Sequence, residues 1–195
     1  MGPRFFLRTL PTAFAMALGT AVGLLVGRSA RGPEVAALAV AGGLLCLVGA
    51  WTFRQSVWAP LLLVGLSLAV GLLATRLGVL AEPAAWLLPA LVAFAGILAG
   101  AVLGRSVRNL FQWTYTPIWI AAWLVVIGTA ALQLARFPLE WILLAAGVVV
   151  LVFLALATAW FARLEADPPP LAALDLYLIG LNLFLAAAVL RCGVR

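Results

Sequence analysis

Asp175, Ile179 and Asn182 stand at i, i+4 and i+7 within "LAALDLYLIGLNLFLAAAVL" (171–190), a stretch in which the other residues apart from Asp175 and Asn182 are apolar or Gly. At about 100° per helical residue, Ile179 falls about 40° to one side of Asp175 and Asn182 about 20° to the other. The three therefore share one stripe, while Tyr177 points away from it. An ionised carboxylate at the centre of a bilayer costs roughly 2.5–3.5 kcal/mol on insertion scales, which makes an intramembrane acid a functional candidate by default. The chemistry open to such a stripe is weak cation coordination or proton relay. The alternative is a helix-start charge reaching the headgroups, since Asp175 falls within the first turns of its span.

Little else in the chain can do chemistry. His and Lys are both absent, which excludes imidazole bases, most transition-metal sites, Schiff-base chemistry and a phosphate-binding P-loop. Ser29, Ser56 and Ser106 fall in connections with no base nearby. Of six carboxylates, Glu34, Glu82, Glu140, Glu165 and Asp167 sit at span edges, where an acid near a helix start meets the favourable end of the dipole. The polar residues inside apolar runs are Ser67, Thr129, Gln133, Thr158, Asp175 and Asn182. Ser and Thr can bond their own helix backbone, so Ser67, Thr129 and Thr158 read first as packing residues. An enzyme is not expected, nor any cofactor or resident metal. All twelve basic residues are Arg, and no basic run with interleaved aromatics marks a nucleic-acid surface.

The elements that must position the stripe are apolar helices. Of the 195 residues, 67% are hydrophobic and 9% charged, against about 25% charged in a soluble domain. The composition predicts an all-α integral membrane protein in a single domain, 1–195, multi-pass in the cell (inner) membrane with the lipid bilayer as its first partner. Seven windows have the roughly 20 apolar residues a span needs: 10–27, 34–53, 57–80, 84–104, 115–135, 138–162 and 171–190. Pro11, Pro60, Pro117 and Pro138 are placed in first turns, where a missing N–H costs little. Trp51, Trp58, Trp86, Trp113, Trp119, Trp141 and Trp160 lie near span ends, in the manner of an interfacial belt. The basic, apolar N-terminus is read as a retained first span. Cys46 and Cys192 are isolated and imply no bridge. Seven spans put six Arg on each side, so charge does not set the orientation.

Two ladders, Gly19–Gly23–Gly27 and Gly96–Gly100–Gly104, run into matching tails, "GRSAR" (27–31) and "GRSVR" (104–108). Small residues at that spacing let helix backbones approach closely. Their recurrence three spans apart is the layout of an inverted repeat, helices 1–3 against 4–6 with the seventh left over.

The last span, "ALDLYLIGLNLFL" (173–185), resembles the closing helix of the Bax inhibitor family, which reads like A-L-x-L-Y-L-D-x-I-N-L-F-L; Leu174, Leu176, Tyr177, Leu178, Asn182, Leu183, Phe184 and Leu185 fit. "FLALATAWFA" (153–162) is similar to the family's sixth span, with Thr158 in its Thr position. The resemblance implies seven spans with the seventh at the centre of two three-helix groups. It also implies a pH-sensitive calcium leak, controlled in bacterial members by an aspartate pair on helices six and seven. Two carboxylates sharing a site titrate as a coupled pair, which makes a physical pH sensor. Here Ile179 and Ala157 occupy those two positions, so the pair is lost. Asp175 stands one turn earlier, about 6 Å along the axis, with Asn182 retained.

Two functions follow as expectations. One is a passive cation (calcium) or proton leak along Asp175, Asn182 and Thr158, with a degenerate sensor. Calcium prefers six to eight oxygen ligands, so only transient coordination fits. The other is a non-transporting protein that binds a membrane protease or a larger membrane complex.

Overall fold

A computed structural model describes residues 3–30, 32–75, 86–106, 115–135, 138–163 and 169–193. Among them every regular element is helical: α1 (Pro3–Ser29), α2 (Pro33–Thr52), α3 (Trp58–Ala74), α4 (Leu87–Ser106), α5 (Tyr115–Leu134), α6 (Leu139–Arg163) and α7 (Pro169–Gly193). Five are long and apolar enough to cross a bilayer, which is the mark of a multi-pass membrane protein: α1 from Thr9, α2, α4 to Gly104, α6 to Ala162 and α7 to Arg191. The described apolar stretches of α3 (Trp58–Ala74) and α5 (Tyr115–Thr129) are shorter. The windows 57–80 and 84–104 run into residues 76–85, which lie outside the described residues.

Local chemistry sets the helix ends. Pro33 opens α2 behind Gly32, and Glu34 stands in its first turn, where proline's fixed φ and the acid's charge both suit an N-terminus. At its other end the Phe53 N–H donates to the Gly49 carbonyl at 2.8 Å. The turn into α3 is closed by Ser56 N–H donating to the Phe53 carbonyl at 2.7 Å. The Arg54 guanidinium lies 5.9 Å over the Trp51 ring at this turn, within the range of a cation–π contact. Pro60 and Pro117 are in the first turns of α3 and α5, and Pro138 immediately precedes α6. Pro11 differs from expectation. Because α1 starts at Pro3, Pro11 is inside the helix. There it forfeits one backbone bond, a loss that Pro residues in spanning helices tolerate through local adjustment.

The chain divides into two compact units. The first holds α1–α3 and α7 as far as Tyr177; the second holds α4–α6 and α7 from Leu178 onward. In the first, α3 packs against both α1 and α2, and in the second, α6 packs against both α4 and α5.

The glycine ladders lie at the closest of these crossings. A methyl placed on Gly23 would meet the Leu68 carbonyl and lie 3.0 Å from Gly71 Cα. Gly19 faces Val64 and Ser67, and Gly27 faces Leu72 and Thr75, so α1 and α3 run parallel. In the second unit, a methyl on Gly100 would lie 2.6 Å from Ala157 Cβ, and one on Gly104 would lie 2.7 Å from the Thr158 carbonyl. Gly96 instead faces the Leu183 side chain of α7, at 2.9 Å.

Away from these crossings the helices present large apolar side chains outward. Phe14, Leu18, Leu45, Leu91, Phe94 and Leu151 are each at least half exposed. Hydrocarbon is the solvent that such a surface suits, because it exacts no penalty for exposed Leu and Phe.

Candidate functional site on the seventh helix

α7 is the most thoroughly buried of the five long apolar helices. Its buried sector is built mainly from small and aliphatic residues, among them Ala172, Ala173, Leu176, Ile179, Leu183 and Ala187, with Tyr177 among them. The half-buried flank carries Leu174, Asp175, Leu178, Leu181, Asn182 and Leu185. Asp175 and Asn182 thus lie together on the more open side of one helix. Ile179, on the border between the two sectors, is 1% exposed.

Asp175 is the seventh residue of α7, which puts it in the second turn and not at the helix start. Asn182 donates its Nδ2 hydrogen to the Leu178 carbonyl at 2.8 Å. Thr158 is buried and donates its hydroxyl to the Leu154 carbonyl at 2.9 Å. Each of the two is therefore bonded along its own helix. Ala157, where the family resemblance puts an acid, is fully buried against Gly100. Asp175 belongs to the first unit, whereas Thr158, Asn182, Ala157 and Ile179 belong to the second.

The remaining candidates are edge or packing residues. Glu34 and Glu140 are exposed in the first turns of α2 and α6. Thr129 donates to the Val125 carbonyl at 2.8 Å, and the Ser67 hydroxyl donates to the Val64 carbonyl at the same distance. Glu82, Glu165, Asp167, Arg31, Arg76, Arg108, Trp113, Arg136 and Arg195 lie outside the described residues, and so do the side chains of Arg4, Arg8, Arg105, Gln133, Arg163 and Cys192. The "GRSVR" tail is thus described only through Ser106. Among the described residues no three Cys, Asp or Glu side chains gather where they could hold a metal ion.

One polar feature was not anticipated from the residue types. The Tyr177 and Thr20 hydroxyls of α7 and α1 are 2.7 Å apart. Thr20 Oγ1 also lies 3.2 Å from the carbonyl of Met16, in its own helix, and 3.2 Å from the carbonyl of Ser67, in α3. Carbonyls only accept, so the single Thr20 hydrogen is shared between them. The arrangement that pairs both hydroxyl hydrogens then has Tyr177 donate to Thr20. The result is a directed relay, phenol to threonine to carbonyl, that joins α7, α1 and α3 within the first unit. Both side chains are buried, Tyr177 at 6% exposure and Thr20 at 7%. Thr20 stands outside the polar set read from the sequence. The usable signal was Tyr177 itself, because a tyrosine buried away from the interfacial belt generally finds a partner for its hydroxyl.

Comparison of the chain with models of known protein families finds no match, and neither do comparisons with curated proteins and with solved structures.

Proposed function

We propose that the protein is a divergent Bax-inhibitor-like membrane bundle of seven spans, resident in the cell (inner) membrane. In this reading it passes cations passively along α7 and has lost the family's acid sensor. Two features support the family reading. The closing helix carries the Leu-Tyr-Leu and Asn-Leu-Phe-Leu elements of the motif. In addition, each helix triple uses its third member as the common packing partner of the other two, as an internal repeat with inverted spans would.

The observation that carries the transport reading is the position of Asp175 along α7. The apolar part of α7, Pro169–Arg191, is 23 residues long, about 34 Å at the helical rise. Centred on a hydrocarbon core of about 30 Å, it holds Asp175 about 9 Å from the helix start and roughly 7 Å inside the core. A first-turn charge would reach the headgroups; one at this depth needs polar counterparts, which the protein, water or a passing cation can each supply. With Ala157 and Ile179 at the sensor positions, this passage has no acid pair to gate it. Calcium or proton flux into proteoliposomes, compared between wild type and Asp175→Asn, tests the reading. Loss of flux in the variant supports it, and equal, background-level flux in both ends it.

A second reading, a non-transporting protein that holds a membrane protease or a larger complex, is favoured by Asn182 and Thr158. The Thr158 hydroxyl and one Asn182 amide N–H each donate to a carbonyl of their own helix. A stable partner recovered in detergent, together with background flux, would select it.

A further inference from the structure

The Tyr177–Thr20 bond has a consequence for Asp175. The buried sector of α7 sets small residues, Ala172, Ala173 and Ala187, beside Leu176, Ile179 and Leu183, the last against Gly96. In hydrocarbon, turning a leucine outward carries no solvent penalty, so resistance to rotation about the axis comes from side-chain packing and from directional polar contacts. A single buried polar contact is what fixes register in comparable apolar assemblies. Here that contact lies two residues from Asp175, and two residues are about 200° of helix. Tyr177 pinned onto α1 therefore points Asp175 to the side of α7 away from α1. Asp175 and Asn182, both half-buried, stand about 160° and 140° around the helix from Tyr177.

We propose that Tyr177 and Thr20 are positioning residues, a rotational pin that selects which face of α7 is directed at α1 and so holds the Asp175 stripe in its polar orientation. The proposal rests on the cation reading only for what the stripe does once positioned. The relay makes the pin directional as well, because Thr20 is itself held by the Ser67 carbonyl of α3. α7 is thus referred to two helices and not to one flexible side chain.

The test maps which face of α7 meets water. In a background with Cys46→Ala and Cys192→Ala, single cysteines are placed at Asp175 and Asn182 on the open flank and at Leu176 and Leu183 on the buried sector. Each is labelled in membranes with a charged maleimide. The expected result is faster labelling of the open flank. Tyr177→Phe and Thr20→Val should each reduce that contrast by about threefold or more, the population ratio held by an interhelical hydrogen bond of average strength in a membrane protein. Thr20→Ser, which keeps the hydroxyl, should restore it, a rescue that loss of threonine packing would not give. Equal labelling of both faces in the parent protein overturns the proposal, as does a contrast that Tyr177→Phe leaves unchanged. Flux is read on the same variants. A contrast that responds where no cation passes would leave the pin standing and remove the cation reading; a flux abolished by Asp175→Asn with an unresponsive contrast would do the reverse.

Discussion

Thr20→Val should destabilise the protein more than Tyr177→Phe, although both delete the same hydrogen bond. The two hydroxyls are 2.7 Å apart and buried, and the direction of the relay makes them unequal. Tyr177→Phe removes a donor. Thr20 keeps its carbonyl partners at Met16 and Ser67, the ring stays in place, and nothing is orphaned. The loss is that of one interhelical bond, about 0.6 kcal/mol on average in membrane proteins and about 1.7 at most. Thr20→Val is closer to isosteric, yet it strands the Tyr177 hydroxyl at 6% exposure. An orphaned buried donor costs about 1–3 kcal/mol.

The double variant separates the two effects. Once valine occupies position 20, replacing Tyr177 with phenylalanine removes the orphan, so the double variant should be more stable than Thr20→Val alone by about 1 kcal/mol or more. The assay is reversible unfolding in mixed micelles, followed by circular dichroism and by the fluorescence of the eight tryptophans. If Thr20→Val proves as mild as Tyr177→Phe, or the two costs simply add, then Tyr177 does not donate into a closed relay and the reasoning fails.

Other substitutions follow from the packing. Gly100→Ala would place its methyl 2.6 Å from Ala157 Cβ, forcing α4 from α6; a loss of about 1–3 kcal/mol, typical of overpacking, should appear in the same unfolding assay. Gly42→Ala and Gly147→Ala meet nothing within 4 Å and should leave the melting point unchanged or raise it, since alanine is favoured over glycine in a helix by roughly 0.5–1 kcal/mol. Gly71→Ala would run into the Thr20 carbonyl and lie 3.0 Å from Gly23 Cα; it should reduce the folded yield sharply, because backbone cannot yield as a side chain does. Ile179→Asp introduces an acid at a site 1% exposed. It should lower the folded yield by at least the cost of an unpaired intramembrane acid, about 2.5 kcal/mol, and a well-folded variant would show that position 179 is open to water.

The helices were legible because their boundaries are written in strong local signals. α2, α5, α6 and α7 begin and end within a few residues of their apolar windows, each bracketed by proline, arginine or an acid. The first window, 10–27, agrees with the apolar span of α1, Thr9–Ser29, but an apolar run reports where hydrocarbon begins, whereas the helix continues outward to Pro3 and takes Pro11 into its interior. The Asp175–Asn182 flank was legible from helical period alone, since both residues belong to one element. The Tyr177–Thr20 relay was not, because its members are 157 positions apart and no local rule brings α1 to α7. Thr20 was further disguised by its type. A threonine in a span ordinarily bonds the carbonyl one turn back, and Thr20 does so with Met16 while also reaching Ser67. Ile179 and Ala157 show the complementary limit. Their burial agrees with their apolar character, and it takes the motif, not the residues, to make their positions worth asking about.

The division of labour between glycine and hydroxyl groups follows from the solvent. In water, burial of leucine would hold α7 against its neighbours; in lipid the same leucines are equally content facing outward, as Phe14, Leu45, Phe94 and Leu151 are on other helices. Attraction must then come from close backbone approach, and the glycine ladders supply it where α1 crosses α3 and α4 crosses α6. Close approach sets distance and crossing but says little about rotation, because a ladder of glycines has almost no shape to read. Rotation needs a directional contact, and the first unit has one where α7 carries an acid. A helix of leucine and alanine alone would be held against turning only by its packing. Asp175 precedes Tyr177 by two residues on that helix, so whatever fixes the rotation of Tyr177 also sets the direction of the carboxylate.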